Sequence, residues 1–355
     1  MTTAATRLPL LPLTTVGAHP RPSWWYLADE AMRDGRFGSQ DIQETLNHAA
    51  DIAILDQERL GLHVITDGEM WRASGYVMSL FGRIQGLSPA PATARRWGPP
   101  HYDMDTRFTV TGPISAPNGL GIAEHFPRLR ERATHPVKVT CPGPITFARH
   151  CHLAPPYGDM WELGRDIAKI VNAELRACVA AGADFVQIDD PSVGIIPGEG
   201  RGIAELVNLA VEGVEAKIAL HICFGSNRGR PRVTNRRYGP LFPDILEARV
   251  DQFLLEFANR QMADVDLWQQ YHPRQELVVG VIDHKAYMIE TPDEVAERIR
   301  TALEYVPAEQ LWISPDCGMS PTPYWIAMAK LRAMVAGTEI VRGELGGGDR
   351  AMASD

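Results

Sequence analysis

Phe185-Val186-Gln187-Ile188-Asp189-Asp190-Pro191 and Ile218-Ala219-Leu220-His221-Ile222-Cys223 are short apolar runs, each closed by residues able to do chemistry. Runs of this length suit strands covered on both faces. Six more of the kind flank them: Leu13–Val16, Leu62–Ile65, Val137–Thr140, Gln252–Leu255, Leu277–Val281 and Leu311–Ile313. Between most of them lie stretches with helical spacing, at Gln40–Arg59, Met160–Ala181, Ile203–Ala216, Pro292–Tyr305 and Pro323–Ala336. Thr291 before Pro292 is a helix start, with Thr as cap and Pro at the first helical position. Eight strands with helical crossovers in 355 residues predict an α/β fold, a (β/α)8 TIM barrel. A doubly wound open sheet would show the same element order, because counting strands does not establish closure.

The segment from about 79 to 135 reads as an insertion after the second strand. Arg107–Val110 alternates as a strand does, and Pro, Gly and Ser punctuate the rest. A hairpin with lid elements over one barrel end is expected. The chain is expected to form a single domain over residues 1–340, with a flexible tail over 341–355, where Gly346-Gly347-Gly348-Asp349 has little to bury.

Composition bounds the function. Hydrophobic residues make up 45% and charged residues 22%, which excludes global disorder. The net charge of −9 argues against nucleic acid or an anionic membrane as the main partner. No apolar run approaches the roughly 20 residues of a spanning helix. Pro9 and Pro12 break the N-terminal apolar stretch, so no signal peptide is expected and the location is expected to be cytoplasmic. Five scattered cysteines, Cys141, Cys151, Cys178, Cys223 and Cys317, do not form a disulfide framework.

In a barrel, functional groups close the strands. The fifth run ends in His221-Ile222-Cys223, and residues two apart on a strand face one side, so imidazole and thiolate could grip one ion. The sixth run ends at Glu256, and Cys317 follows the eighth. One His, two Cys and one Glu at neighbouring strand ends would make a zinc site of mixed nitrogen, sulfur and oxygen donors. A packed Cys beside a hydrogen-bonded His is the plainer alternative.

Taken in order, the strand-end motifs resemble those of the catalytic domain of cobalamin-independent methionine synthases and their shorter, single-barrel relatives. The matching segments are Thr14-Thr15-Val16-Gly17, Asp67-Gly68-Glu69, Gly143-Pro144-Ile145-Thr146, Gln187-Ile188-Asp189-Asp190-Pro191, His221-x-Cys223, Glu256, Asp283-His284 and Pro315-Asp316-Cys317-Gly318. The resemblance implies a zinc ion (Zn2+) held by His221, Cys223, Glu256 and Cys317, and a methyl group passed to a small thiol, with homocysteine giving methionine as the lead. It implies that Glu69 and Asp189 hold the substrate's amino group and that the backbone of Val16, Gly17 and Ala18 meets its carboxylate. It further implies that His284, beside Asp283, delivers a proton to the departing methyl donor.

The sequence also departs from the pattern. No Trp follows Gly143-Pro144-Ile145-Thr146 to stack on a pterin; Phe147 or His150 would have to serve, and Ala18 stands where the family has Ser. Arg228, Arg230, Arg232, Arg236 and Arg237 follow the two zinc-ligand candidates closely. Such a loop, with Arg21, suits a carboxylate or sulfonate. It raises a second reading, epoxide opening by a coenzyme M thiolate, as in the related epoxyalkane:coenzyme M transferases. A third is a non-catalytic zinc barrel that partners a corrinoid or flavin protein. Methyl-tetrahydrofolate, a methylcobamide and an epoxide all remain open as donors. Trp24, Trp25, Tyr26 and Trp71 are candidates to line the donor pocket, with aromatic core packing as the alternative.

Overall fold

The computed structural model describes residues 8–72, 78–90, 107–191, 193–196, 198–225 and 236–351. In chain order its strands are β1 (Gln85–Pro89), β2 (Phe108–Ser115), β3 (Val139–Pro142), β4 (Cys151–His152), β5 (Phe185–Asp189), β6 (Lys217–Ile222), β7 (Gln252–Leu255), β8 (Glu276–Ile282) and β9 (Leu311–Pro315). Six of them form one parallel sheet in the order β3-β5-β6-β7-β8-β9. Helices link most of these strands, as parallel neighbours require. Those at Met160–Ala180, Gly200–Ala210, Pro292–Leu303 and Tyr324–Ala351 fall where the spacing predicts them, and Ser39–Leu60 precedes the second expected strand.

Strand alternation divides the core into two layers. Val186, Ile188, Leu220, Ile222, Phe253 and Leu255 pack outward with the helices. Val16, Val64, Phe185, Ala219, Leu254, Val278 and Trp312 form a second cluster on the other face. With a period of two, Gln187, Asp189, His221, Cys223 and Glu256 continue that second face beyond its apolar layer. The same alternation that builds the core therefore delivers the polar strand ends to one place.

The first two expected strands are not regular ladders. They are held by isolated parallel bridges, Leu13 to Ile313, Thr14 to Val64 and Ile65 to Val137. Ile313 N donates to Pro12 O at 2.9 Å and Ile65 N to Pro136 O at 3.0 Å. Proline accepts but cannot donate, so neither ladder propagates through it. The eight strands expected are, among the described residues, six in a ladder plus two segments joined to their neighbours by isolated bridges.

The expected hairpin is present: β1 pairs antiparallel with β2, Leu87 opposite Val110. β4 adds to it in parallel, outside the insertion's predicted bounds, to make a three-stranded side sheet. Residues 91–106 lie outside the described residues. The expected tail begins too early, because the last helix continues to Ala351. Val341 is buried, Arg342 donates to Leu10 O at 2.9 Å and to Leu11 O at 2.8 Å, and Arg300 pairs with Glu344 at 2.6 Å. These contacts tie down the helix where glycine content alone reads as a tail.

Candidate metal and substrate site

His221 is the next-to-last residue of β6, Cys223 follows that strand, and Cys317 stands two residues beyond β9. Their ligand atoms all lie within 4.8 Å of one another. Cys223 Sγ is 3.6 Å from Cys317 Sγ, which is 3.7 Å from His221 Nε2. In a flat sheet, β6 and β9 would be three strand spacings, about 14 Å, apart. Their ends converge only because the sheet curves.

The spacing fits a metal ion. Zinc bonds of about 2.3 Å to sulfur and about 2.0 Å to nitrogen, arranged tetrahedrally, put two sulfurs about 3.8 Å apart and sulfur and nitrogen about 3.5 Å apart. The hydrogen bond from Cys223 holds the Cys317 thiol well below its ordinary range against the effect of burial, and His284 and His221 add to it. That same bond, with burial, pushes Cys223 well above the thiol range. Burial opposes charge on His221, but the hydrogen bond and charge of Cys317 outweigh it and raise the imidazole.

Glu256, the fourth expected ligand, stands outside this group. Its Oε2 accepts from Lys285 Nζ at 2.5 Å, with both side chains fully buried. Arg236 NH1 lies 3.9 Å from Oε1, which has no hydrogen-bond partner among the described residues. Lys285 was not singled out in the sequence, although a cation directly after Asp283-His284 at a strand end was a visible cue.

Glu69 and Asp189 are near enough for the charge of one to act on the other. Glu69 Oε1 accepts from Thr140 Oγ1 at 3.1 Å and lies 3.2 Å from Arg72 NH1, while Oε2 is buried without a hydrogen-bond partner. Burial raises the Glu69 carboxyl against the pull of Arg72. Burial pushes Asp189 up to about 7 although His221 opposes it, and the Glu69 charge adds to the rise. Arg72 is a cation shared by these two acids and offsets one of their charges. Glu69 also adopts φ +57°, left-handed backbone that a non-glycine residue rarely takes, after Gly68 at φ +65°. Its carboxylate lies so close to the first strand that a Cβ on Gly17 would meet Oε1 at 2.6 Å. Val16 O accepts from Gln187 Nε2 at 2.6 Å, and Ala18 O from Met319 N at 2.8 Å.

His284 is fully buried, and neither ring nitrogen has a hydrogen-bond partner among the described residues. Burial lowers its pKa. The Asp283 carboxylate turns away from that ring, accepting from Lys285 N at 2.8 Å and from Asn259 Nδ2 at 2.9 Å. Arg21 lies against Met70 Sδ and Glu69 O, its guanidinium 4.6 Å over the Trp25 ring. Arg228, Arg230 and Arg232 lie outside the described residues.

A family profile described as cobalamin-independent synthase, catalytic domain, matches residues 11–339. The chain belongs to the cobalamin-independent methionine synthase family. It is 34% identical to a methionine synthase of Saccharolobus solfataricus over 96% of this chain and 97% of that one. A methionine synthase of Sulfurisphaera tokodaii is 32% identical, with 95% and 94% covered. Among solved structures, a B12-independent methionine synthase from Shewanella sp. W3-18-1 in complex with selenomethionine superposes with a TM-score of 0.81. It is 28% identical, and the match covers 95% of this chain and 99% of that one. A putative enzyme of the kind from Listeria monocytogenes, at 24% identity and TM-score 0.72, shares the fold.

Membership in the cobalamin-independent methionine synthases makes this chain a methyltransferase enzyme. No helix among the described residues is long and apolar enough to cross a membrane. Two aromatic expectations change. Phe147 is fully buried with its ring 5.2 Å from Phe81, so it is no stacking platform for a ligand. Trp25 and Trp71 are buried, and Trp71 stacks on His125 at 5.0 Å, whereas Trp24 is partly exposed. Both are packing aromatics. The other groups missed in the sequence are Arg72, Thr140 and Asp316. Asp316 accepts from the backbone of Phe257, Ala258 and Asn259 and so fixes the loop after Glu256.

Proposed function

We propose that the chain is a zinc-dependent methyltransferase that methylates the thiol of homocysteine to give methionine. The observation that carries this reading is the His221, Cys223 and Cys317 cluster, whose 3.6 and 3.7 Å separations fit three corners of a zinc tetrahedron. Zinc there would keep the substrate's own thiol deprotonated at neutral pH, since a free thiol has a pKa of about 8.5. The other residues orient the substrate. Glu69 and Asp189, with Arg72 offsetting one charge, favour an ammonium group, and backbone N–H groups of the Val16–Ala18 segment would meet its carboxylate. The curved sheet and the three isolated bridges support an eight-membered barrel, with the β1–β2 hairpin as a lid at one end.

His284 is the group positioned for proton delivery. Its buried, unpartnered ring nitrogens match a role completed only by a ligand. Asp283 supports the loop that carries it. The methionine synthases among the relatives favour homocysteine over coenzyme M, and a methyl donor over an epoxide. The buried catalytic groups favour an enzyme over a binding module. The test is turnover of homocysteine with methyl-tetrahydrofolate and with a methylcobamide, on protein of measured zinc content. Methionine should form with one donor and stop when zinc is removed. Equal turnover with and without zinc would overturn the reading.

A further inference from the structure

Lys138 stands directly before β3, on the face that the two-residue period assigns to Thr140 as well. Its side chain is fully buried, with the ammonium 5.7 Å from the Phe185 ring of the inner apolar layer. Burial pulls its pKa down to about 7, Lys217 adding to the fall and the charge of Asp189 opposing it. A buried ammonium is costly, so the group that receives its hydrogen bond matters. That group is a backbone carbonyl, Thr15 O, at 2.9 Å.

Thr15 O is the first of four successive carbonyls that are each held from a different segment. Val16 O accepts from Gln187 Nε2 at 2.6 Å, Gly17 O from Thr66 Oγ1 at 2.8 Å, and Ala18 O from Met319 N at 2.8 Å. In a planar trans peptide the C=O and the next N–H point in opposite directions. Holding the carbonyls of Thr15, Val16 and Gly17 therefore also aims the N–H groups of Val16, Gly17 and Ala18. No backbone carbonyl among the described residues accepts from those three N–H groups. Of the four donors Lys138 alone is a cation, and a charged donor polarises a peptide unit more than a neutral one does.

We propose that Lys138 is a positioning residue for the substrate's carboxylate: its ammonium, bonded to Thr15 O, fixes and polarises the peptide unit that ends in Val16 N–H and gives the Val16–Ala18 segment its preference for an anion. This rests on the reading that the segment meets the carboxylate of homocysteine. Without the ammonium, Gln187, Thr66 and Met319 still hold the other three carbonyls, but the positive charge behind the segment is gone. The groups that face the substrate's amine, Glu69 and Asp189, lose nothing that favours a cation.

The test compares wild type, Lys138→Met and Lys138→Gln, each loaded with Zn2+ to the same metal content. Calorimetry measures the binding of L-homocysteine and of 3-aminopropane-1-thiol, which keeps the thiol and the amine and lacks the carboxylate. Lys138→Met should bind homocysteine about 10–100-fold more weakly, the range for a hydrogen bond from a charged donor. It should bind the aminothiol as tightly as wild type or more so, because a cation has left the surroundings of Asp189. Lys138→Gln, which keeps a neutral donor, should fall between. Homocysteine binding within about threefold of wild type in Lys138→Met overturns the proposal, and so does an equal loss for both thiols, which marks a general disturbance of the site. Should Lys138→Met not fold, Lys138→Gln decides: reduced selectivity for homocysteine over the aminothiol supports the role, and selectivity equal to wild type refutes it. Wild type that binds both thiols equally overturns the carboxylate reading itself, and the role of Lys138 with it.

Discussion

Replacing Cys317 by Ser removes a sulfur that makes both close contacts of the cluster, 3.6 Å to Cys223 and 3.7 Å to His221. A serine hydroxyl stays protonated at neutral pH and is a poor zinc donor. Zinc bound by four protein donors is worth about 10–16 kcal/mol, or about 2.5–4 kcal/mol per donor. Losing one should weaken binding by about 10²–10³-fold, since 1.4 kcal/mol is a factor of ten. Chelator competition with metal analysis measures this directly. Cys141→Ser is the control, because Cys141 is also buried and closes β3 but touches neither ligand cysteine. A second assay uses exposure: Cys317 is the most exposed of the five cysteines, so iodoacetamide should label it first in metal-free protein, and metal should protect it. If Cys317→Ser holds zinc as tightly as Cys141→Ser, or if metal leaves the labelling unchanged, the proposed centre is wrong.

Three further outcomes are expected. Glu69→Gln removes one charge facing the substrate amine and should raise the homocysteine KM about 10–100-fold while leaving zinc content unchanged; a drop in zinc instead would place Glu69 on the metal. His63 is pulled down to about 4 by burial, Arg342 adding, and its neutral ring accepts from Leu13 N at 3.0 Å. Between its ordinary 6.5 and about 4 the folded state binds fewer protons than the unfolded chain. Stability should therefore be full above that window and fall as the pH drops through it, and His63→Gln should flatten the thermal-unfolding profile there. Thr291→Ala breaks a reciprocal cap, Thr291 Oγ1 with Glu294 N at 3.2 Å and Glu294 Oε2 with Thr291 N at 2.7 Å. It should cost about 1 kcal/mol in denaturant unfolding without touching metal affinity.

The helix start at Thr291-Pro292 and the apolar runs were legible because they rest on local chemistry: a cap, a proline, a two-residue period. The outer and inner layers of β5, β6 and β7 follow from that period directly. Irregular pairing at Leu13–Val16 and Leu62–Ile65 was not legible, since a bridge depends on which neighbour arrives and on a proline in the partner. The last helix was misjudged for the same reason: its glycines are local, whereas Arg342 on Leu10 and Leu11 spans the length of the chain.

Residue order by itself determined which chemical groups end each strand, because alternation sends every second side chain to the same face. It thereby named His221, Cys223, Glu256 and Cys317 before any distance was known, while Glu69, Asp189 and His284 came from the resemblance to the family. Tertiary structure alone decided partners. Curvature of the sheet joined Cys317 to Cys223, Arg72 took half of the charge set aside for an amine, and Lys285 claimed Glu256. Charge pairing depends on ångström-scale proximity between segments distant in the chain, and strand periodicity carries no information about that.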